Sequence, residues 1–272
     1  MVIRKEFEMS RIKEKFNSLR EKMEKALIVY LTAGDPSLRI TKELIFALEK
    51  AGADILEIGV PFSDPTADGP VIQAAAQRSL KNGTTLRGVL QMVEEVRQLS
   101  QIPIVLFGYF NPIFAYGTEQ FAAAAKNAGV DGVLVVDLPY EEAPELRVYT
   151  DKAGIDFISL IAPTSGTERT RRIAADATGF LYYISITGIT GTAAPQISEI
   201  KTAVDKIRKI TGLPIAVGFG ISKPQQAREI GQFADGVVIG SAVVKLIDEN
   251  KNNPDLLKVV SGYVGGIKQA LR

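Results

Sequence analysis

The chain has 272 residues, of which 46% are hydrophobic and 23% charged, and this composition predicts a folded protein with a large core. A net charge of +1 without a basic stripe argues against a nucleic-acid partner, and the lack of apolar runs near ~18 residues argues against membrane insertion and fits a cytoplasmic location. Without cysteine or histidine, disulfides and thiolate chemistry are excluded, no metal site is expected, and proton transfer near neutral pH falls to carboxylates, Lys, Tyr or water.

The predicted elements alternate along the chain. A charged, amphipathic segment at residues 9–25 predicts an additional N-terminal helix that covers the bottom of the fold. Apolar runs then predict eight strands, at residues 26–32, 54–58, 103–107, 132–136, 156–160, 180–184, 214–217 and 235–239. Helical periodicity predicts eight helices, at residues 41–50, 86–100, 119–128, 141–153, 167–177, 198–211, 223–231 and 254–271.

A short junction recurs between these helices and strands. Residues 51–56, 128–134 and 153–158 share the pattern Ala-Gly-x-Asp followed by an apolar run, and residues 233–238 are a weaker copy without the glycine. The glycine suits the left-handed position that ends a helix, and the run after the aspartate begins a buried strand. The repeat therefore indicates successive αβ units.

Eight strands alternating with eight helices predict one (β/α)8 TIM barrel over residues 1–272. An open doubly wound sheet is the alternative, but its Gly-x-Gly-x-x-Gly turn is missing after the first strand. Two connections, at residues 61–85 and 187–197, are long. In a barrel both rise from the C-terminal face, where active sites lie.

Glu57 stands inside the apolar run of the second predicted strand. A buried carboxylate is costly unless it is paired, hydrogen-bonded or used, and the lumen near the strand end is the place where it is tolerated. Apolar neighbours would raise its pKa toward a useful range. A structural ion pair with Lys or Tyr is the other explanation, and the strand-end position favours catalysis.

Asp68 follows eleven residues later on a loop rich in Pro and Gly. It could face the same cavity as Glu57. An aspartate before Gly-Pro is also a common turn residue, and Asp64 before Pro65 is explained equally well as a turn. Spacing alone leaves the role of Asp68 open.

Glycine-rich turns follow the last three predicted strands, at residues 187–192, 218–222 and 240–241. Glycine lets backbone N–H groups approach an anion, and the loops after strands seven and eight form the usual phosphate site of such barrels. Ordinary turns also use glycine, so the signal depends on its recurrence in three successive loops.

Tyr182 and Tyr183 are neighbours in the sixth predicted strand, so only one of them can face the lumen. Phe107, Tyr109 and Phe219 could form apolar walls for a flat aromatic substrate, although filling of the core explains each of them singly.

The motifs as a set resemble the alpha subunit of tryptophan synthase over nearly the whole chain. The segment at residues 57–70 is the most specific of them. The matching segments are Thr32-Ala33-Gly34-Asp35-Pro36, Glu57-Ile58-Gly59-Val60-Pro61-Phe62-Ser63-Asp64-Pro65-Thr66-Ala67-Asp68-Gly69-Pro70, Thr187-Gly188-Ile189-Thr190-Gly191, Gly218-Phe219-Gly220-Ile221-Ser222 and Gly240-Ser241-Ala242.

The resemblance implies a lyase that cleaves indole-3-glycerol phosphate to indole and glyceraldehyde 3-phosphate. Glu57 matches the family's proton-transfer carboxylate, and Asp68 matches the carboxylate that accepts the indole N–H and stabilises the protonated ring. Tyr182 matches a tyrosine near Glu57. The resemblance further gives a set of substrate-binding or phosphate-binding residues: Gly191, Phe219, Gly220, Gly240, Ser241, Phe107 and Thr190.

The resemblance also implies a partner, the beta subunit of tryptophan synthase, in an alpha-beta-beta-alpha heterotetramer. That subunit carries pyridoxal phosphate, receives indole through a tunnel and condenses it with serine, so no cofactor is implied for the present chain. Positions that match the family's interface are Asp64, Tyr109, Asn111 and Pro139.

The chain departs from the family at two places. Only three residues separate Gly191 from Pro195, where the family usually has more, and residues 1–8 precede the family's usual start, which resembles Met9-Ser10-Arg11-Ile12. Two other interpretations stay open. One is a different phosphate-binding barrel, such as a sugar-phosphate isomerase or epimerase, and the other is a non-catalytic barrel that activates a partner subunit.

Overall fold

The computed structural model describes residues 10–184, 196–218 and 220–272. Within these residues, nine short strands form one parallel sheet. They are β1 Ala26–Thr32, β2 Ile55–Gly59, β3 Ile104–Gly108, β4 Gly132–Val135, β5 Asp156–Phe157, β6 Ser159–Ile161, β7 Leu181–Ile184, β8 Ile215–Gly218 and β9 Gly236–Ile239. The predicted strands agree with these bounds to about one residue, except that residues 156–160 correspond to both β5 and β6.

The sheet closes through β5 and β6, which are two halves of one barrel strand. The sheet order is β5-β4-β3-β2-β1-β9-β8-β7-β6, so these halves stand at its two ends. β5 pairs with β4, and Ile158 between the halves donates its N–H to the carbonyl of Val133 at 2.8 Å. β6 pairs with β7. This one stretch therefore joins both neighbours, and the predicted (β/α)8 barrel is confirmed.

Side chains along each strand alternate between the barrel lumen and the surrounding helices. In β2, Leu56 and Ile58 pack among the helices, and Ile55 packs inside the barrel. The same alternation directs Glu57 into the lumen. There it stands beside Tyr30, which is its partner in the parallel register of β1 and β2.

The described residues also form twelve helices. They are α1 Arg11–Glu21, α2 Leu38–Ala51, α3 Pro70–Lys81, α4 Leu86–Arg97, α5 Phe110–Tyr116, α6 Thr118–Ala128, α7 Pro144–Ala153, α8 Thr167–Asp176, α9 Ile197–Arg208, α10 Pro224–Gly231, α11 Ser241–Asn250 and α12 Leu256–Gln269. The long connection at residues 61–85 contains α3, which the sequence analysis did not predict. Among these helices none has both the length and the apolar character needed to cross a membrane.

The recurrent junctions have the expected local structure. Gly52, Gly129 and Gly154 end α2, α6 and α7 with φ values of 102°, 83° and 69°, in the left-handed region that glycine tolerates. The aspartate has a structural role as well. Asp54 accepts the N–H of Leu27 at 2.8 Å and so fixes the start of β2 against β1.

α1 fills the N-terminal end of the barrel. Ile12, Phe16 and Leu19 pack with the lower lumen residues, and the Phe16 ring lies 5.7 Å from the ring of Phe180. The predicted position of this helix under the barrel is therefore confirmed. With this end of the lumen filled, the lumen is open towards its C-terminal end.

Candidate active site

A cavity of about 670 Å³ opens at the C-terminal end of the barrel. Its inner wall is formed by lumen-facing side chains of four strands: Tyr30, Glu57, Phe107 and Tyr182. This volume suits a small-molecule ligand. Smaller cavities of about 550 and 340 Å³ lie beside α1 and beside β4 and β6, and Glu57 lines neither of them. The larger cavity is therefore the candidate active site.

Glu57 is the carboxyl group at the inner end of this cavity. It is only 1% exposed, and within the described part of the protein its Oε1 atom has no hydrogen-bond partner. Burial raises the pKa of Glu57 from the usual 4.5 to about 8, because the apolar surroundings disfavour the charged form. The group is therefore mostly a neutral acid at pH 7, with an oxygen free to bind a ligand.

Asp68 lies on the loop between β2 and α3, and its neighbours Ala67 and Gly69 line the cavity. Burial raises the pKa of Asp68 to about 6, and a hydrogen bond from the hydroxyl of Tyr109 acts in the opposite direction. The loop is held at two points. The Tyr109 hydroxyl accepts the N–H of Ala67 at 2.9 Å, and Gln73 donates to the carbonyl of Asp68 at 2.8 Å.

The two carboxyl groups therefore differ in protonation state. Near pH 7 most Glu57 groups hold a proton while most Asp68 groups are ionised, because the pKa of one is about 8 and that of the other about 6. Two acidic side chains whose environments separate their pKa values are typical of a paired acid and anion in catalysis. In the described part of the chain, no group of three acidic side chains is placed to hold a metal ion.

Tyr182 faces the lumen, and Tyr183 packs among the helices, as the alternation along β7 requires. Burial, together with the nearby Glu57, raises the pKa of Tyr182 well above its usual value, so its hydroxyl stays protonated. Gly218 on the next strand makes room for it. A Cβ atom at Gly218 would lie 2.2 Å from the Tyr182 hydroxyl, so any larger residue would displace the ring.

Tyr30 is a cavity residue that the sequence analysis missed. Its ring meets Phe107 edge to face at 5.2 Å, and its hydroxyl fills the space above Gly59, where a Cβ atom would lie only 2.0 Å away. Burial raises the pKa of Tyr30, and the charges of Asp68 and Glu57 raise it further, so this phenol stays protonated near both carboxyl groups. Side chains of β1 alternate between the lumen and the helices, but every residue of the strand is buried. Burial therefore does not distinguish the lumen-facing Tyr30 from its neighbours.

Gly220, Gly240 and Ser241 lie together at the rim of the cavity. Ser241 begins α11, so the free N–H groups and positive dipole end of that helix face this rim. Lys245, one turn further along α11, also lines the cavity and was not predicted. The remaining predicted binding residues Thr190, Gly191 and Phe219 lie outside the described residues.

The residues predicted to contact a partner lie around the same face of the barrel. Asp64 follows β2, Asn111 stands in α5 and Pro139 follows β4, and all three are exposed. Tyr109 differs from them because it is 3% exposed and its hydroxyl bonds the Asp68 loop. This hydrogen bond connects Tyr109 with the loop that borders the cavity.

A sequence profile described as "Tryptophan synthase alpha chain" matches residues 16–271. The chain belongs to the tryptophan synthase alpha chain family. The family predicted from the sequence motifs is therefore confirmed. The alpha chain of Geobacter sp. (strain M21) is 51% identical over 263 residues, which are 97% of this chain and 98% of that one. The alpha chain of Petrotoga mobilis is 43% identical and covers 96% of this chain and 99% of its own length.

Solved structures of the alpha chain family agree with the barrel. Tryptophan synthase subunit alpha from Legionella pneumophila str. Paris has a TM-score of 0.90 at 38% identity, covering 97% of this chain and 99% of that one. A chain of the tryptophan synthase complex from Pyrococcus furiosus has a TM-score of 0.82 at 39% identity, covering 90% and 98%. Both identities are high enough for the likeness to extend beyond the fold.

Proposed function

We propose that this chain is the lyase subunit of tryptophan synthase that cleaves indole-3-glycerol phosphate to indole and glyceraldehyde 3-phosphate. The observation that carries the proposal is Glu57: a buried, neutral carboxyl group with an oxygen that none of the described residues pairs, at the inner end of a cavity bordered by the Asp68 loop. Family membership supports the same substrate. A sugar-phosphate isomerase is not favoured, since it would give the Asp68 loop and the aromatic wall no role.

The two carboxyl groups divide the proton chemistry. Glu57 gives its proton to indole C3, and the resulting carboxylate takes the proton of the C3′ hydroxyl. The electron pair of that O–H bond forms the C=O bond of the aldehyde, and the C–C bond to the indole ring breaks. The electrons of the C–C bond return to the ring and neutralise its positive charge. Glu57 thus ends the reaction protonated, as it was at the start. Ionised Asp68 accepts the indole N–H and stabilises the ring while it is positive.

The remaining cavity residues bind and orient the substrate in this proposal. Tyr182 holds its protonated hydroxyl near Glu57, and Phe107 forms a wall against the indole ring. The phosphate group binds at Gly220, Gly240 and Ser241, where the start of α11 favours an anion. Thr190, Gly191 and Phe219 complete this set on the strength of the sequence resemblance.

We further propose that the chain works in the cytoplasm with a tryptophan synthase beta subunit, in an alpha-beta-beta-alpha heterotetramer. The family and the tryptophan synthase complex of Pyrococcus furiosus support such a partner. Asp64, Asn111 and Pro139, which are exposed after β2, β3 and β4, would contact it, with the buried Tyr109 beside them in sequence. The proposal gives the present chain no cofactor of its own, because pyridoxal phosphate belongs to the beta subunit.

The proposal is tested by indole release from indole-3-glycerol phosphate, measured on the pure chain with and without a beta subunit. We expect indole and glyceraldehyde 3-phosphate in equal amounts, with faster release when the partner is present. Absence of indole under both conditions would refute the function. Isomerisation of a sugar phosphate without indole release would favour the alternative barrel enzyme.

The pH dependence of kcat/KM should be bell-shaped. Activity needs Asp68 ionised and Glu57 protonated, so it rises as pH increases through the Asp68 pKa of about 6 and falls through the Glu57 pKa of about 8. The pKa values read from the two limbs are apparent values, which belong to the coupled pair of carboxyl groups. In the Asp68→Asn variant the acidic limb should disappear while the alkaline limb stays. A wild-type profile that is flat from pH 5 to 9 would contradict these assignments.

Replacing Gly218 by alanine should damage the cavity and leave most of the fold intact. The new Cβ atom would push Tyr182 from its place, and we expect kcat/KM to fall about 10–100-fold, as small misplacements at an active site do. Gly262→Ala in α12 is the matched control, because its Cβ atom would meet no atom of the described residues within 4 Å. Equal kcat/KM values for the two variants would show that the ring can move without consequence.

A further inference from the structure

Arg78 binds two acidic side chains from different parts of the barrel. It lies in the last turn of α3, and its Nε and Nη2 atoms donate to the two oxygens of Asp35 at 2.9 and 2.7 Å. Asp35 follows β1 and is 3% exposed. The third nitrogen, Nη1, lies 3.3 Å from Oδ1 of Asp248 in α11. Such a planar, two-pronged contact fixes direction as well as distance.

The helices joined in this way both line the candidate active site with their first turns. α3 begins at Pro70, directly after the Asp68 loop, and Gln73 in its first turn holds the carbonyl of Asp68. α11 begins at Ser241, at the proposed phosphate position. A link between the two helices therefore sets the distance between the indole end and the phosphate end of the site.

Below the Arg78 side chain, apolar contacts pack α3 and α11 against a side chain of the barrel lumen. Ala75 of α3 and Val244 of α11 belong to one buried cluster with Tyr30. Two more polar contacts attach the C-terminal end of α3 to the loop after β1: Ser79 donates to the carbonyl of Ala33 at 2.5 Å, and Asn82 donates to the carbonyl of Pro36 at 2.7 Å. Arg78 extends this attachment to α11.

We infer that Arg78 is a positioning residue for the reaction: it holds α3, and with it the Asp68 loop, in register with the phosphate-binding start of α11. This inference rests on the proposed function. Without the guanidinium, the buried carboxylate of Asp35 loses its cation, and α3 must shift to give it water or another donor. Asp68 would then move away from the place where charge develops on the indole ring.

A readout without substrate tests the positioning itself. The N–H of Ala67 donates to the Tyr109 hydroxyl only while the Asp68 loop is in place, so its hydrogen exchange, followed by NMR, reports loop position. Arg78→Met should speed this exchange at least about tenfold, and Arg78→Lys, which keeps the charge but not the fork, should have a smaller effect. The amide of Leu56, which donates to the carbonyl of Pro103 within the sheet at 2.9 Å, serves as the internal control for folding.

The kinetic test is a double-mutant cycle with Asp68→Asn. In the otherwise wild-type chain, Arg78→Met should lower kcat/KM about 10–100-fold, since misplacement of a reacting group by about 1 Å has effects of this size. In the Asp68→Asn background the same substitution should lower kcat/KM less than about threefold, because the group it positions is already lost. Arg39→Met, which breaks the exposed Arg39–Glu43 pair of α2, is the matched control and should change neither readout.

Two results would overturn the inference. One is unchanged Ala67 exchange in a folded Arg78→Met protein, and the other is an undiminished fall of about 10–100-fold in kcat/KM when Arg78→Met is added to Asp68→Asn. If Arg78→Met does not fold, Asp248→Asn decides by the same readouts and should speed Ala67 exchange about threefold, since it removes the link to α11 and keeps the Asp35 contact. Lys251→Met is its control, because Asp248 also pairs with Lys251 at 2.7 Å. If the wild-type chain releases no indole, the proposed function fails, and the exchange experiment alone decides the role of Arg78.

Discussion

Glu57→Gln is expected to lower the turnover of indole-3-glycerol phosphate about 10²–10⁴-fold, the contribution of a positioned acid–base group. Glutamine has nearly the same shape but cannot give or take the proton at indole C3 or at the C3′ hydroxyl. Substrate affinity should change little, because the phosphate end of the cavity is untouched. Steady-state kcat, with a beta subunit present, and inhibition by glycerol phosphate measure the two effects separately.

The same substitution should stabilise the fold at neutral pH. The folded protein holds a proton on Glu57 up to a pKa of about 8, whereas the unfolded chain releases it near 4.5. The free energy of unfolding therefore falls by ~1.4 kcal/mol per pH unit as pH rises from 4.5 to 8. At pH 7 this loss amounts to up to ~3 kcal/mol.

Glutamine carries no such cost, so chemical denaturation should show little difference between the proteins below pH 4.5 and a growing advantage for the variant above it. Retention of more than about a tenth of wild-type turnover would contradict the catalytic role. A variant less stable than wild type at pH 8 would contradict the protonation argument. The active-site acid is thus expected to lower stability in exchange for reactivity.

Asp68→Asn is expected to reduce kcat about 10²–10³-fold, the size of a lost electrostatic contact in a transition state, with a smaller change in KM. Asparagine can still accept the indole N–H in the ground state. It lacks the negative charge that stabilises the ring after C3 is protonated, so the loss falls mainly on the transition state.

Asp64→Asn is the matched control for Asp68, because Asp64 lies on the same loop but is exposed to solvent. On the isolated chain this control should leave kcat nearly unchanged. If Asp68→Asn raised KM and left kcat at the wild-type value, Asp68 would contribute uniform binding only. The loop residue would then hold substrate without assisting the chemistry.

The barrel was predictable because its signals are local and repeated. Apolar runs marked each strand to about one residue, and the Ala-Gly-x-Asp junctions marked the helix ends that Gly52, Gly129 and Gly154 form. Glu57 was predictable for a similar reason, since burying a lone carboxylate in an apolar strand costs free energy and so points to a functional role. The break of the fifth barrel strand at Ile158 was not predictable, because it depends on hydrogen bonds to two neighbours that are remote in sequence.

The rest of the site depends on contacts that cross the barrel. The steric fit of Tyr30 over Gly59, and of Tyr182 over Gly218, joins different strands and leaves no periodic signal along the chain. α3 escaped prediction because its buried face is small, with Ala75 and Ala76 in place of large apolar residues. For Asp68, spacing left a turn residue and a catalytic group equally open, and its burial on an anchored loop is visible only in three dimensions.

The central claim is that Glu57 is a neutral acid near pH 7 and can therefore give a proton to indole C3. Titration of its side-chain carboxyl carbon by ¹³C NMR, with the Glu57→Gln spectrum for assignment, tests this most directly. We predict a midpoint near pH 8 in the folded chain, where burial places it. A midpoint near 4.5, the usual value for a glutamate, would mean that Glu57 is already ionised at neutral pH and would contradict the account.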